Sequence, residues 1–86
     1  MLKIYKYTLE IKRSQIVKIN THYQLMAFQM QDEKPTMWAI VDTEMPEIEI
    51  EIIMFATGEQ INDGHLLRYI STLQDGKFVW HFFKKK

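Results

Sequence analysis

The 86 residues, 47% hydrophobic, 13% aromatic and 26% charged, have the composition of a globular domain with one modest core, which excludes an intrinsically disordered chain. With no cysteine among them, disulfides and thiolate metal sites are excluded as staples, so stability must come from packing or from a second copy of the chain. The 11 Lys and Arg cancel the 11 Asp and Glu, and no apolar run approaches the ~20 residues that span a bilayer.

Apolar residues recur at every second position rather than at helical spacing, which predicts half-buried strands. The first lies near 2–11 in KIYKYTLEI, whose lysines interrupt the apolar run. The opening MLKIYKYTLE therefore lacks the greasy segment and cleavage site of a signal peptide, and the expected location is the cytoplasm. QIVKI gives a second strand near 15–19, YQLMAFQMQ a third near 22–31 and TMWAIVDT a fourth near 35–43. Asp32-Glu33-Lys34-Pro35 reads as the hairpin loop between these last two, with Pro35 confined to the beginning of its strand because it donates nothing to a ladder. After Met45-Pro46 comes a fifth strand, 47–56, in which Ile48, Ile50 and Ile52 alternate with Glu47, Glu49 and Glu51.

The longest connection, 57–64, follows, and loops of that length in small domains often carry function. In HLLRYISTLQ, Leu66, Ile70 and Leu73 stand at helical spacing behind Asp63, an N-cap residue type. The Tyr-Ile-Ser-Thr run leading into Asp75-Gly76 favours a strand near 65–74 instead. Asp-Gly between apolar runs is the strongest short-range hairpin signal in the chain, so this strand pairs antiparallel with the last, near 77–84. The predicted fold is all-β: one domain over 1–86, a single antiparallel sheet of about seven strands curled into a small sandwich or partly open barrel, with 84–86 a flexible tail.

The charges are segregated. Basic residues dominate 1–22 and 64–86, while Asp32, Glu33, Asp42, Glu44, Glu47, Glu49, Glu51, Glu59 and Asp63 stand between them against Lys34 alone. Either the termini lie beside the acidic segment and pair with it across strands, or separate patches steer a charged partner.

KIYKYTLEI, LMAFQMQDEKPTMWAIVD, the ATG of 56–58 and YISTLQDGKFVWHFF, in that order and across nearly the whole chain, resemble a family of short proteins encoded in bacteriophage genomes. The resemblance implies a phage origin, hence a host-cell cytoplasmic setting, and a compact β domain; it brings no established activity. Related sequences read Gly-Thr-Gly-His where this one reads Ala56-Thr57-Gly58-Glu59, and a carboxylate does not replace imidazole, so no role passes to Glu59.

The closing KFVWHFFKKK poses a choice between a nucleic-acid grip and a core strand. Phe78, Trp80 and Phe82 face one way and Val79, His81 and Phe83 the other. A stacking platform would intersperse basic residues among rings on one face, whereas these lysines follow the rings. The expected reading is a strand covered on both faces, with nucleic acid reduced to weak, salt-sensitive contact by the tail. Successive carboxylates of Glu47, Glu49 and Glu51 stand about 7 Å apart along a strand, comparable with phosphates on an extended chain, so this ridge is either a mimic of nucleic acid or a solvated face that discourages edge pairing.

Catalytic signals are sparse. His22, His65 and His81 form no HxH or HExxH spacing, Ser14 and Ser71 lie in no G-x-S-x-G, and three glycines build no phosphate cradle. No enzyme, metal or cofactor is expected. The 6 Met and 11 aromatics exceed what one small core needs. They call for burial inside a closed sandwich or barrel, or for a second covering surface, a symmetric homodimer being the commonest, with a foreign partner the other choice. The expected function is non-catalytic: a phage accessory protein that docks on a host or phage protein, antagonism of host defence being one form, through Glu47, Glu49, Glu51 and loop residues Thr57, Gly58 and Glu59. The alternative is a binder of a nucleotide-like metabolite enclosed by strand aromatics and the 57–64 loop; a third is a weak single-strand nucleic-acid binder.

Overall fold

A computed structural model describes residues 1–86. Seven strands form: β1 (Leu2–Thr8), β2 (Ser14–Asn20), β3 (Gln24–Gln31), β4 (Lys34–Asp42), β5 (Glu47–Ala56), β6 (Leu67–Asp75) and β7 (Phe78–Lys85), with one 3₁₀ turn at Gly64–Leu66. They divide into a three-stranded sheet, β1-β4-β3, and a four-stranded sheet, β2-β5-β7-β6, every pair antiparallel. The chain changes sheet between β1 and β2, between β2 and β3 and again between β4 and β5, so the result is an open sandwich rather than a barrel. Its thickness of 16 Å against 41 and 30 Å in the other directions fits two layers packed face to face at about 10 Å.

The two inward faces meet in one core. Phe28, Met37, Ala39 and Val41 from the three-stranded sheet pack against Ile19, Ile50, Ile52, Met54, Leu73 and Phe82 from the other. Alternation along each strand sends these residues inward and leaves their sequence neighbours outside. The Phe28 and Phe82 rings, tilted at 43° with centroids 4.9 Å apart, join the layers at the centre, and the Ser71 hydroxyl donates across to the Phe28 carbonyl at 3.2 Å. Both strands of this contact carry a bulge, between Leu25 and Ala27 in β3 and between Tyr69 and Ser71 in β6. Leu9, just past the end of β1, closes one end of the core and donates its N–H to the Pro35 carbonyl.

Four expectations are adjusted. The first strand stops at Thr8 rather than 11, because Leu9 turns inward. The segment begun at 65 opens with the 3₁₀ turn, uncapped by the Asp63 side chain, and becomes strand at Leu67. The terminal lysines are not a free tail: Lys84 pairs with Ile52 and Arg68, Lys85 with Leu67, and the Lys86 N–H donates to the Leu66 carbonyl at 2.8 Å. Finally, β7 is covered on one face only, since two layers have one interior; Val79, His81 and Phe83 lie on the outer side of their sheet.

The hairpins show how local chemistry sets register. Asp75 pairs with Phe78, so the central turn residues are Gly76 and Lys77, with positive φ at Gly76 alone; this is the II′ pattern, one residue on from the Asp-Gly placement. In the β3–β4 hairpin both central residues, Asp32 (φ 51°) and Glu33 (φ 65°), are left-handed, the I′ pattern in which glycine is favoured second. A left-handed non-glycine costs about 1–2 kcal/mol. Glu33→Gly is therefore expected to stabilise the protein by about 1 kcal/mol in urea unfolding, after the entropy glycine adds to the unfolded chain is subtracted.

Candidate functional site

The outer face of the four-stranded sheet gathers the predicted contact residues and others beside them. Its side chains lie in rows set by the strand register. One row runs Phe55, His81, Thr72; the next Ser14, Ile53, Phe83, Tyr69; the next Ile16, Glu51, with Lys85 and Leu67 beyond. The middle rows form a ribbon of rings. Phe83 meets Phe55 edge-on at 5.8 Å and Tyr69 edge-on at 5.7 Å, the arrangement the ring quadrupole favours. Tyr69 is 58% exposed and Ile16 55%, so the ribbon is open at both ends.

A chain of hydrogen bonds crosses the face beside it. Thr57 Oγ lies 2.7 Å from His81 Nε2, His81 Nδ1 2.9 Å from Thr72 Oγ, and Thr72 Oγ 2.8 Å from the Tyr69 hydroxyl. A hydroxyl on an imidazole nitrogen is half of a nucleophile-base pair. Here the group behind the ring is a second hydroxyl rather than a carboxylate, and the chain ends on a phenol. Its evident physical effect is to fix the Tyr69 ring against Phe83.

The 57–64 loop leans over the same face and is tethered at its start. Glu59 accepts from the Ala56 N–H at 2.6 Å and from the Arg13 guanidinium, which also donates to the Met54 carbonyl at 2.6 Å and lies 4.5 Å above the Phe55 ring. The Ala56 N–H first, and Arg13 after it, hold the Glu59 carboxyl below its ordinary range. Between loop and sheet is a cleft of about 270 Å³ whose walls include Ile53, Phe55, Ile61 and Leu66, with Asp63 and Lys85 among its polar lining.

The acidic ridge is less bare than its sequence implies. Glu47 and Glu49 are exposed, but Glu49 stands opposite Lys18, and Glu51 is half-buried between the Ser14 hydroxyl at 2.7 Å and Lys85 Nζ at 3.8 Å. With Met1 N bound to Asp42 at 2.9 Å and Arg13 to Glu59, basic ends and acidic middle meet across strands. Arg13 and Lys85, the cations beside the rings, each have a carboxylate partner, which leaves little unpaired charge here for phosphates. No three His, Asp or Glu side chains are gathered in metal-ligand geometry.

Of the predicted residues, the sheet brings Glu51, Thr57 and Glu59 to the borders of the ring ribbon, with Gly58 at the loop's left-handed turn (φ 93°). Glu47 and Glu49 sit farther along β5. Sequence reasoning missed Tyr69, Phe55 and Arg13. The available signal was strand alternation, which puts Phe83 and His81 on one face but does not say which face is outside. A family model described as Domain of unknown function (DUF7352) matches residues 1–86. No curated protein and no solved structure matches the chain.

Proposed function

The chain belongs to the DUF7352 family, and on that footing we propose that it is a non-catalytic binding protein that docks on another protein through the outer face of its four-stranded sheet. The observation that carries this is the ring ribbon itself: Tyr69, Phe83, Phe55, Ile53 and Ile16 in one band across all four strands, bordered by charged groups. An apolar, aromatic centre inside a polar rim is the make-up of a protein interface. The cleft beneath the 57–64 loop, walled by Ile53, Phe55, Ile61 and Leu66, gives a partner side chain a place to insert, and Thr57, Gly58, Glu59 and Glu51 are the proposed polar contacts around the ribbon. The role that fits is a bacteriophage accessory factor acting on a host or phage protein in the host cytoplasm, supported by the likeness of KIYKYTLEI, MWAIVD and FVWHFF to phage-encoded sequences. Affinity capture from infected cells with wild type and with a Tyr69→Ala variant tests it: one protein should be retained by the first and lost from the second.

The loop cleft also favours a second reading, a nucleotide-like metabolite lying against Phe55 with Asp63 and Lys85 as polar contacts. A ligand held there stabilises the folded state by mass action, so a metabolite panel that raises the melting temperature, with no protein captured, selects it.

The other sheet also leaves an apolar outer face. Leu2 (71% exposed), Ile4 (59%) and Met26 (53%) surround the half-buried Trp38 and Ile40. A second copy applying the same face in two-fold symmetry covers it. Sedimentation should show a dimer that Ile4→Glu converts to monomer with the β-sheet spectrum unchanged; a wild-type monomer at high micromolar concentration contradicts it.

A further inference from the structure

At one end of the sandwich the two sheets part, leaving a cleft of about 310 Å³ that reaches from solvent to the core. Its walls are apolar, with Leu25 and Met37 from the three-stranded sheet and Ile50, Ile52 and Ile70 from the other. Its charged lining is of one sign. Arg68 and Lys84 are direct partners in the β6–β7 register and lie on the same face as the buried Phe82, so both side chains point to the inter-sheet side. Neither has a carboxylate partner: the ion pairs of this structure are made by the N-terminus, Arg13, Lys34 and Lys85. No Asp or Glu lines the cleft.

Two like charges directly opposite each other on adjacent strands repel and destabilise the sheet. A pair placed so at the mouth of an apolar cleft is stabilised by an anion between them. Tyr23 stands at the same mouth, and burial keeps its phenol above the usual range, so it is protonated and able to donate. Guanidinium, ammonium and phenol thus line one cleft whose remaining walls are aliphatic side chains, one thioether and the Tyr69 ring.

We propose that this cleft binds a small anionic amphiphile, its head held by Arg68, Lys84 and Tyr23 and its apolar chain laid against Leu25, Ile50 and Ile52. The volume is at the lower end of the roughly 300–1,000 Å³ typical of ligand sites, which fits one medium-length chain and not a two-chain lipid. The site is between the sheets and meets the outer-face ribbon only at Tyr69, which lines its edge; its head and chain contacts are on the inter-sheet side, and the proposal does not rest on the docking reading.

The probes are octanoate and octyl phosphate, which share chain and charge sign and differ in head, set against octanol and acetate. Calorimetry on the intact protein should show saturable binding of at least one of the two anionic chains. Octanol and acetate should not bind at the same concentration. Arg68→Gln and Lys84→Gln, both at the solvent end of the cleft, should keep the fold and weaken that binding roughly 10- to 100-fold, the usual loss when a charged hydrogen bond is removed. Lys85→Gln, on the outer face, should bind as wild type does. No saturable binding of either anionic chain, equal binding of octanol, or equal losses in Lys84→Gln and Lys85→Gln would overturn the assignment.

Discussion

Phe82→Ala is expected to remove about 3–5 kcal/mol of stability, a large share of what a domain of this size possesses. Phe82 has no exposed surface and touches the opposite sheet through Phe28, ring centroids 4.9 Å apart, so its loss opens a cavity at the centre of the core between the layers. Native domains hold roughly 0.05–0.15 kcal/mol per residue, and with 86 residues and no cysteine there is no covalent reserve. In urea unfolding followed by circular dichroism the variant should show a midpoint far below that of wild type. Phe83→Ala is the matched control. Its ring is the next one along β7 but lies on the outer face, half-buried against Phe55 and Tyr69. It should cost clearly less, and equal losses at the two positions would contradict the assignment of faces.

The second large effect is on association. Tyr69 is well exposed, contacts Phe83 edge-on and bonds through its hydroxyl to Thr72 alone. Its truncation should cost folding only about 0.5–1.5 kcal/mol, the worth of the edge-on ring pair, which leaves the variant folded. Aromatics near the centre of an interface lose about 2–4 kcal/mol on truncation to alanine, which corresponds to roughly 30- to 1,000-fold weaker binding. Surface plasmon resonance with the captured partner should show that loss, appearing mainly as faster dissociation. A variant that binds within threefold of wild type would place the interface elsewhere.

Much of the fold is written locally. All seven strands are legible because alternation and turn residues are properties of short windows: Gly76 sets one hairpin and Asp32-Glu33 another, and β5 is bounded as read, from Glu47 to Ala56. Which sheet a strand joins depends on contacts far apart in sequence. Nothing local in SQIVKIN says that β2 will leave its sequence neighbours to pair with EIEIEI, although Lys18 opposite Glu49 is a consequence of that choice. The same limit applies to the closing strand. FVWHFF is apolar on both faces, and the letters do not distinguish a strand buried on both sides from one with an interior and an open exterior. Tyr69 was hidden for a further reason: the bulge at Ile70 shifts the alternation of β6, so a plain two-residue period carried back from Leu73 puts Tyr69 on the inner side, while the observed register sets it beside Phe83. The terminal lysines read as a tail because three charges in a row usually are one; their ladder partners on β5, β6 and at Leu66 lie 16 or more residues away in sequence.

The proposed docking role requires that another protein sit on the ring ribbon. Amide hydrogen exchange on the chain bound to its captured partner, compared with the free chain, measures this directly. New protection is expected along β6, β7 and the 57–66 connection, abolished when Tyr69→Ala replaces wild type. Protection confined to β1 and β4, or an exchange pattern the same in free and bound chains, would contradict it.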